Sequence, residues 1–298
     1  MVFESCERSP AAPERNFAHL MLRKPAAAWV LLLGSFLFLY RDVLVGLVRD
    51  WAIDDNYSHG FLILPIALFL AWERRRRFLA AVRRPSNFGF ILVLLSLAGL
   101  LAGTLGAELF TARISLLGII AGGLLFLYGW YYLRILFFPL ALLLLMVPIP
   151  AIIFNQIAFP LQLLASRFGE LVLTMFQIPV LREGNLIHLS NTTLEVAEAC
   201  SGIRSLVSLL TLGIVYGYFA DSRIWIRTVL ALATVPIAVA ANGCRVAGTG
   251  VVAHYYGPQA AEGFFHSFSG WLIFLIAFIL LFALHRLLVR IFKRPAGV

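Results

Sequence analysis

The feature that most constrains this chain is a series of apolar runs, each close to 20 residues, separated by short polar loops. A hydrocarbon layer about 30 Å thick is crossed by about 20 residues of helix. The runs are continuous rather than alternating, which excludes a β-barrel. They fall near residues 26–47, 57–73, 87–106, 110–132, 133–150, 201–220, 224–243 and 264–289. The expected fold is an all-α, polytopic integral membrane protein with about eight transmembrane helices. Composition agrees, since 61% of the 298 residues are hydrophobic and only 13% are charged. No water-soluble domain of this length carries that balance.

A formal charge of +9 invites a nucleic-acid reading, but the placement of the charge argues against it. Arg74, Arg75, Arg76, Arg77, Arg83 and Arg84 share one loop, and Arg286, Arg290, Lys293 and Arg294 close the chain. Basic residues in loops flanking spans mark the cytoplasmic side. The loop 41–56 holds Asp42, Asp50, Asp54 and Asp55, so it belongs outside. The first 25 residues are polar and lack a small-residue cleavage site, so they are expected to form a cytoplasmic tail before a retained signal anchor. Residues 26–290 then form one membrane domain, and 291–298 a second cytoplasmic tail.

The region 151–199 is of a different kind. Residues 151–177 contain Pro160 and mixed polarity, fitting an interfacial helix, a re-entrant hairpin or a poor span. Residues 178–199 alternate β-formers around Glu183-Gly184-Asn185, the pattern of a small extramembrane hairpin. Both termini are cytoplasmic only if 151–199 crosses the membrane zero or two times.

Threading the spans brings three distant segments to one level. Cys200 starts a span running inward, Asn242, Cys244 and Arg245 end a span running outward, and His266 starts the last inward span. All lie at the outer face. A thiol at a helix N-terminus is biased towards thiolate, and Arg204, one turn deeper on the same face, adds a cation. The bland alternative is that Cys200 packs as a small hydrophobe. Arg245 can hold an oxyanion with its fixed fork, or merely snorkel; Asn242 can orient it or cap a helix. His266 can move a proton, as could His59, His188 or His254, whereas His19 and His285 lie on the cytoplasmic side. Glu198 can orient the histidine or meet a basic partner. A disulfide between Cys200 and Cys244 would silence the nucleophile. Metal or cofactor chemistry has no motif here, and arginines beside the cysteines would repel a cation.

The stretches EACSGIRSL, NGCRVAG, YYGPQAAEGFFHSFSGWLIF and NYSHGFLILPIALFLAW together resemble the exosortase/archaeosortase family of membrane transpeptidases. The resemblance covers about residues 26–290 and implies a Cys200, Arg245 and His266 catalytic centre with no cofactor. It also implies a bacterial inner-membrane enzyme whose active site faces the periplasm. Its substrates would be secreted proteins bearing a C-terminal Pro-Glu-Pro-type sorting signal, cleaved through a thioester and passed to an envelope acceptor. Such systems accompany exopolysaccharide production. The competing expectations are an anion or solute transporter lined by Arg204, Arg245 and His266, and a non-catalytic envelope scaffold.

Overall fold

The computed structural model describes residues 17–190, 192–196, 202–257, 259 and 264–292, with side chains from Ala28 onward except at 264–267 and 269. The chain divides into two compact units, residues 1–46 and 47–298. The first holds α1 (Phe17–Leu39) and the start of α2 (Arg41–Ile53). Val30, Leu31 and Phe38 of α1 are widely exposed, as a helix solvated by lipid requires.

The second unit continues with α3 (Gly60–Glu73), α4 (Arg75–Ala80), α5 (Asn87–Leu105), α6 (Leu109–Leu127) and α7 (Trp130–Leu142), which runs on as a 3-10 turn, Leu143–Met146. Then come α8 (Ala151–Met175), β1 (Val180–Glu183), β2 (Leu186–Leu189), β3 (Thr193–Glu195), α9 (Ile203–Ala220), α10 (Ile224–Tyr256) and α11 (Phe264–Ile291). Six of the helices are long and apolar enough to cross a membrane, or up to seven if the bent pair α1/α2 is one span. Among the described residues the expected count of eight is therefore not confirmed. Each expected span does fall on helix, but Gly60–Glu73 and Trp130–Met146 are short, while α8, which was not counted, passes the length test. Two supposed loops also contain helix, α2 within 41–56 and α4 within 73–84.

Local chemistry explains the breaks. Gly129 sits at φ +98°, and a Cβ there would lie 1.9 Å from the Arg84 carbonyl oxygen. Only glycine satisfies both, so α6 ends at Leu127 rather than near residue 132. The α5/α6 hairpin packs through small residues. Added Cβ atoms at Gly89 and Gly103 would come within 2.1 Å of Phe126 N and 2.6 Å of Ala112 N. Such close backbone approach is how helices associate where lipid removes the hydrophobic drive.

The sheet is antiparallel in the order β1-β2-β3, with Glu183 opposite Leu186 across the turn, so the expected hairpin is present with a third strand added. It closes a small core with α8 and the far half of α10, in which Leu173, Ile187, Val196 and Ala253 are almost fully buried. The α8/α10 seam again relies on glycine: Gly243 faces Phe168, Gly169 faces Val246, and Gly250 faces Leu173. At the opposite end of α9, Arg74 donates to the Ile135 carbonyl (2.5 Å) and the Tyr218 hydroxyl (2.6 Å). It thereby ties the α3/α4 junction to α7 and α9.

Candidate functional site

α9 begins at a residue that must be glycine. Gly202 is left-handed (φ +80°), and a Cβ there would lie 2.7 Å from Cγ of Asn242. The start of α9 is thus seated directly on α10. One turn on, Arg245 is only 8% exposed, and its Nη2 donates to Asn242 Oδ1 at 2.7 Å. Of the two roles open to Asn242, orienting Arg245 or capping a helix, the second does not fit the length of α10, which continues to Tyr256. No cap falls at Asn242, and its amide oxygen holds the guanidinium in place.

Arg245 also reaches α11. A Cβ on Gly270 would stand 3.8 Å from Arg245 Nη1. Position 266 lies one helical turn before 270, on the same face of α11. The His266 side chain, Cys200 and Glu198 lie outside what is described. Cys200 stands two residues before Gly202 in the chain. Cys244 is an exposed free cysteine.

These elements surround a cavity of about 680 Å³. Its mouth carries Arg204, Arg245 and His59, and no aspartate or glutamate is among its described lining residues. One face of α9 supplies Arg204, Ser205, Ser208, Thr211 and Val215, which carries the cavity about 16 Å down the helix. Leu62 and Ile66 of α3 and Trp271 and Phe274 of α11 form the apolar walls. Thr211 is 8% exposed, yet its hydroxyl makes no hydrogen bond.

The mouth is braced by the segment before α3. The Trp51 indole donates to the Met146 carbonyl at 2.9 Å and packs over Gly60. His59 Nε2 lies 3.1 Å from the Leu145 carbonyl. A carbonyl only accepts, so Nε2 carries the hydrogen. Arg204 Nη1 meets Asp55 Oδ2 at 3.1 Å, in an ion pair exposed on both sides. Arg204 is thus engaged by a carboxylate that sequence reading had treated only as loop charge.

Of the sequence candidates, Arg204, Asn242 and Arg245 converge here, and His59 joins them. His188 lies on the sheet, 2.9 Å from Thr193 Oγ1, and neither it nor His254 lines the cavity. The hydroxyl series Ser205, Ser208, Thr211 was missed, although its spacing of three was visible directly after Arg204.

A bundle of apolar helices with a buried arginine fork beside a cavity defines a polytopic membrane protein with a cationic site at one end of its spans. Residues 51–283 match the family model described as transmembrane exosortase (Exosortase_EpsH). That range covers most of the chain, and the protein belongs to the transmembrane exosortase family, membrane proteases and transpeptidases that act on C-terminal sorting signals of secreted proteins. No curated protein and no solved structure matches it.

Proposed function

We propose that the protein is a cysteine transpeptidase of the bacterial inner membrane with its active site at the periplasmic face. The observation that carries this reading is the convergence on Arg245. The glycine two residues after Cys200 packs on Asn242, Asn242 holds Arg245, and Arg245 abuts α11 one turn below position 266. The substrate is a secreted protein with a Pro-Glu-Pro-type C-terminal signal, and both termini of the enzyme are cytoplasmic.

In this mechanism His266 takes the Cys200 proton, and the thiolate attacks the carbonyl at the cleavage point. The buried fork of Arg245 receives the charge that develops on the carbonyl oxygen. The C–N bond breaks as His266 returns the proton to the leaving amine, which leaves a thioester on Cys200. An acceptor nucleophile then displaces the thiol and carries off the substrate. Asn242 is a positioning residue for Arg245.

The test is an immunoblot of a tagged secreted substrate with such a signal, co-expressed with wild-type protein or with Cys200→Ala. A size shift with the first and none with the second is expected. Equal processing by both would remove Cys200 from the chemistry.

A further inference from the structure

The cavity has two features that the acyl-transfer chemistry does not use. One is the Arg204–Asp55 pair at its mouth; the other is the hydroxyl series running down α9 to Thr211. Together they constrain the occupant.

Arg204 is a cation lining a cavity with no acidic residue among its described walls, and its only described anion is borrowed from the loop before α3. Its Nε is buried and makes no hydrogen bond, so the fork is half used. The Asp55 side chain is 74% exposed and that of Arg204 43%. Exposed pairs of this kind contribute little, so Asp55 exchanges readily for an incoming carboxylate. Seven residues deeper, about 10 Å along the helix, Thr211 holds a buried hydroxyl with nothing to bond. An acyl chain or the apolar flank of an intact helix would leave it unsatisfied, which costs free energy in a dry site. An extended polypeptide would not, because its amide groups also need partners at that depth. Ser205 and Ser208 line the path between the two ends.

We propose that the cavity receives an unwound, acidic peptide segment. Arg204 reads its side-chain carboxylate in exchange for Asp55, and Ser205, Ser208 and Thr211 bond the backbone that follows. Asp55 is then a built-in stand-in that keeps Arg204 oriented while the cavity is empty. The proposal rests on the transpeptidase reading for the identity of the peptide, and its test is a binding measurement, so that the two can fail separately.

The probe is a fluorescent peptide spanning one Pro-Glu-Pro signal and the start of its apolar segment, with a twin carrying glutamine for glutamate. Binding to full-length protein in detergent micelles is followed by anisotropy. The glutamate peptide should bind wild-type protein about threefold to tenfold more tightly than its twin. Arg204→Gln should erase that preference. Asp55→Asn should tighten the glutamate peptide by about twofold to fivefold, because the competitor is gone. Thr211→Val, close in shape, should weaken both peptides alike. Equal binding of the two peptides by wild-type protein, or binding of neither, overturns the proposal whether or not processing occurs. Tighter binding of the glutamate peptide without thiol-dependent processing would sustain it and sink the transpeptidase reading.

Discussion

At the scale of single residues, the site depends on a bond between neutral and charged partners. Arg245→Lys keeps the charge but loses the planar fork that Asn242 grips. Processing of the tagged substrate should fall about 100-fold to 1,000-fold while membrane insertion is unchanged. Asn242→Ala should cost about tenfold, since it frees the guanidinium without removing it. Near-wild-type rates for Arg245→Lys would reduce Arg245 to a structural part. At the other end of α9 a different pair controls acid stability. Asp221 accepts from the Arg223 side chain at 2.7 Å and from its backbone N–H at 2.8 Å. The Arg223 bonds hold the Asp221 carboxyl at about 2, below its ordinary 3.8. The unfolded chain therefore binds this proton at higher pH than the folded one. The stabilisation is complete above 3.8 and is lost as pH falls towards 2. Melting curves in detergent should show Asp221→Asn less stable than wild type at neutral pH, with the gap closing across that window.

At the scale of elements, α8 is the most informative. Its start, Ala151, follows closely on Leu145 and Met146, whose carbonyls engage His59 and Trp51 at the cavity mouth. Some 17 residues later, Phe168 and Gly169 pack on Gly243 and Val246, on either side of Arg245. Both points of α8 are thus tied to the level of the same cavity, although about 25 Å of helix separates them. Its buried residues Phe154, Ala158, Ala165, Gly169 and Leu173 form one stripe, as in a helix lying along a surface. The expected arrangement is α8 parallel to the membrane border, which meets the zero-crossing alternative of the zero-or-two requirement. In a background with Cys6, Cys200 and Cys244 replaced by serine, single cysteines at Ile153 and Met175 should both react with an impermeant maleimide from the same side. Reaction from opposite sides would make α8 a span. The sequence left this open because Pro160, Arg167 and Glu170 blur both patterns, and hydropathy sees length rather than direction. The hairpin at Glu183-Gly184-Asn185 was legible because turn chemistry is local. The short edge β3 was not, since its pairing with β2 depends on a partner outside its own window.

At the scale of the whole molecule, apolar run length decided the class, and the family match over 51–283 agrees with the motifs from which it was read. What run length does not encode is where helices stop. The end of α6 is set by the Arg84 carbonyl beside Gly129, and the start of α3 by Trp51 over Gly60. Arg74 shows the same limit. It reads as a topology signal, yet it also binds α7 and α9 through Ile135 and Tyr218. Arg74→Lys should preserve insertion and lower the melting temperature, because the guanidinium stacked near Phe138 and Tyr218 is replaced by a point charge. An unchanged melting temperature would return Arg74 to a purely topological role.

α10 carries a consequence of its own. It runs as one helix from Ile224 to Tyr256, and the angular position of Arg245 is counted off from its start. Each added residue turns everything beyond it by about 100°. One alanine inserted between Ala231 and Leu232 would swing the arginine from the cavity wall towards lipid without altering a single side chain of the site. The buried Ile226, Leu230 and Ala238 fix the packing of that stretch, and its length fixes the direction of everything beyond it. Gains and losses of single residues between 224 and 242 should therefore abolish processing.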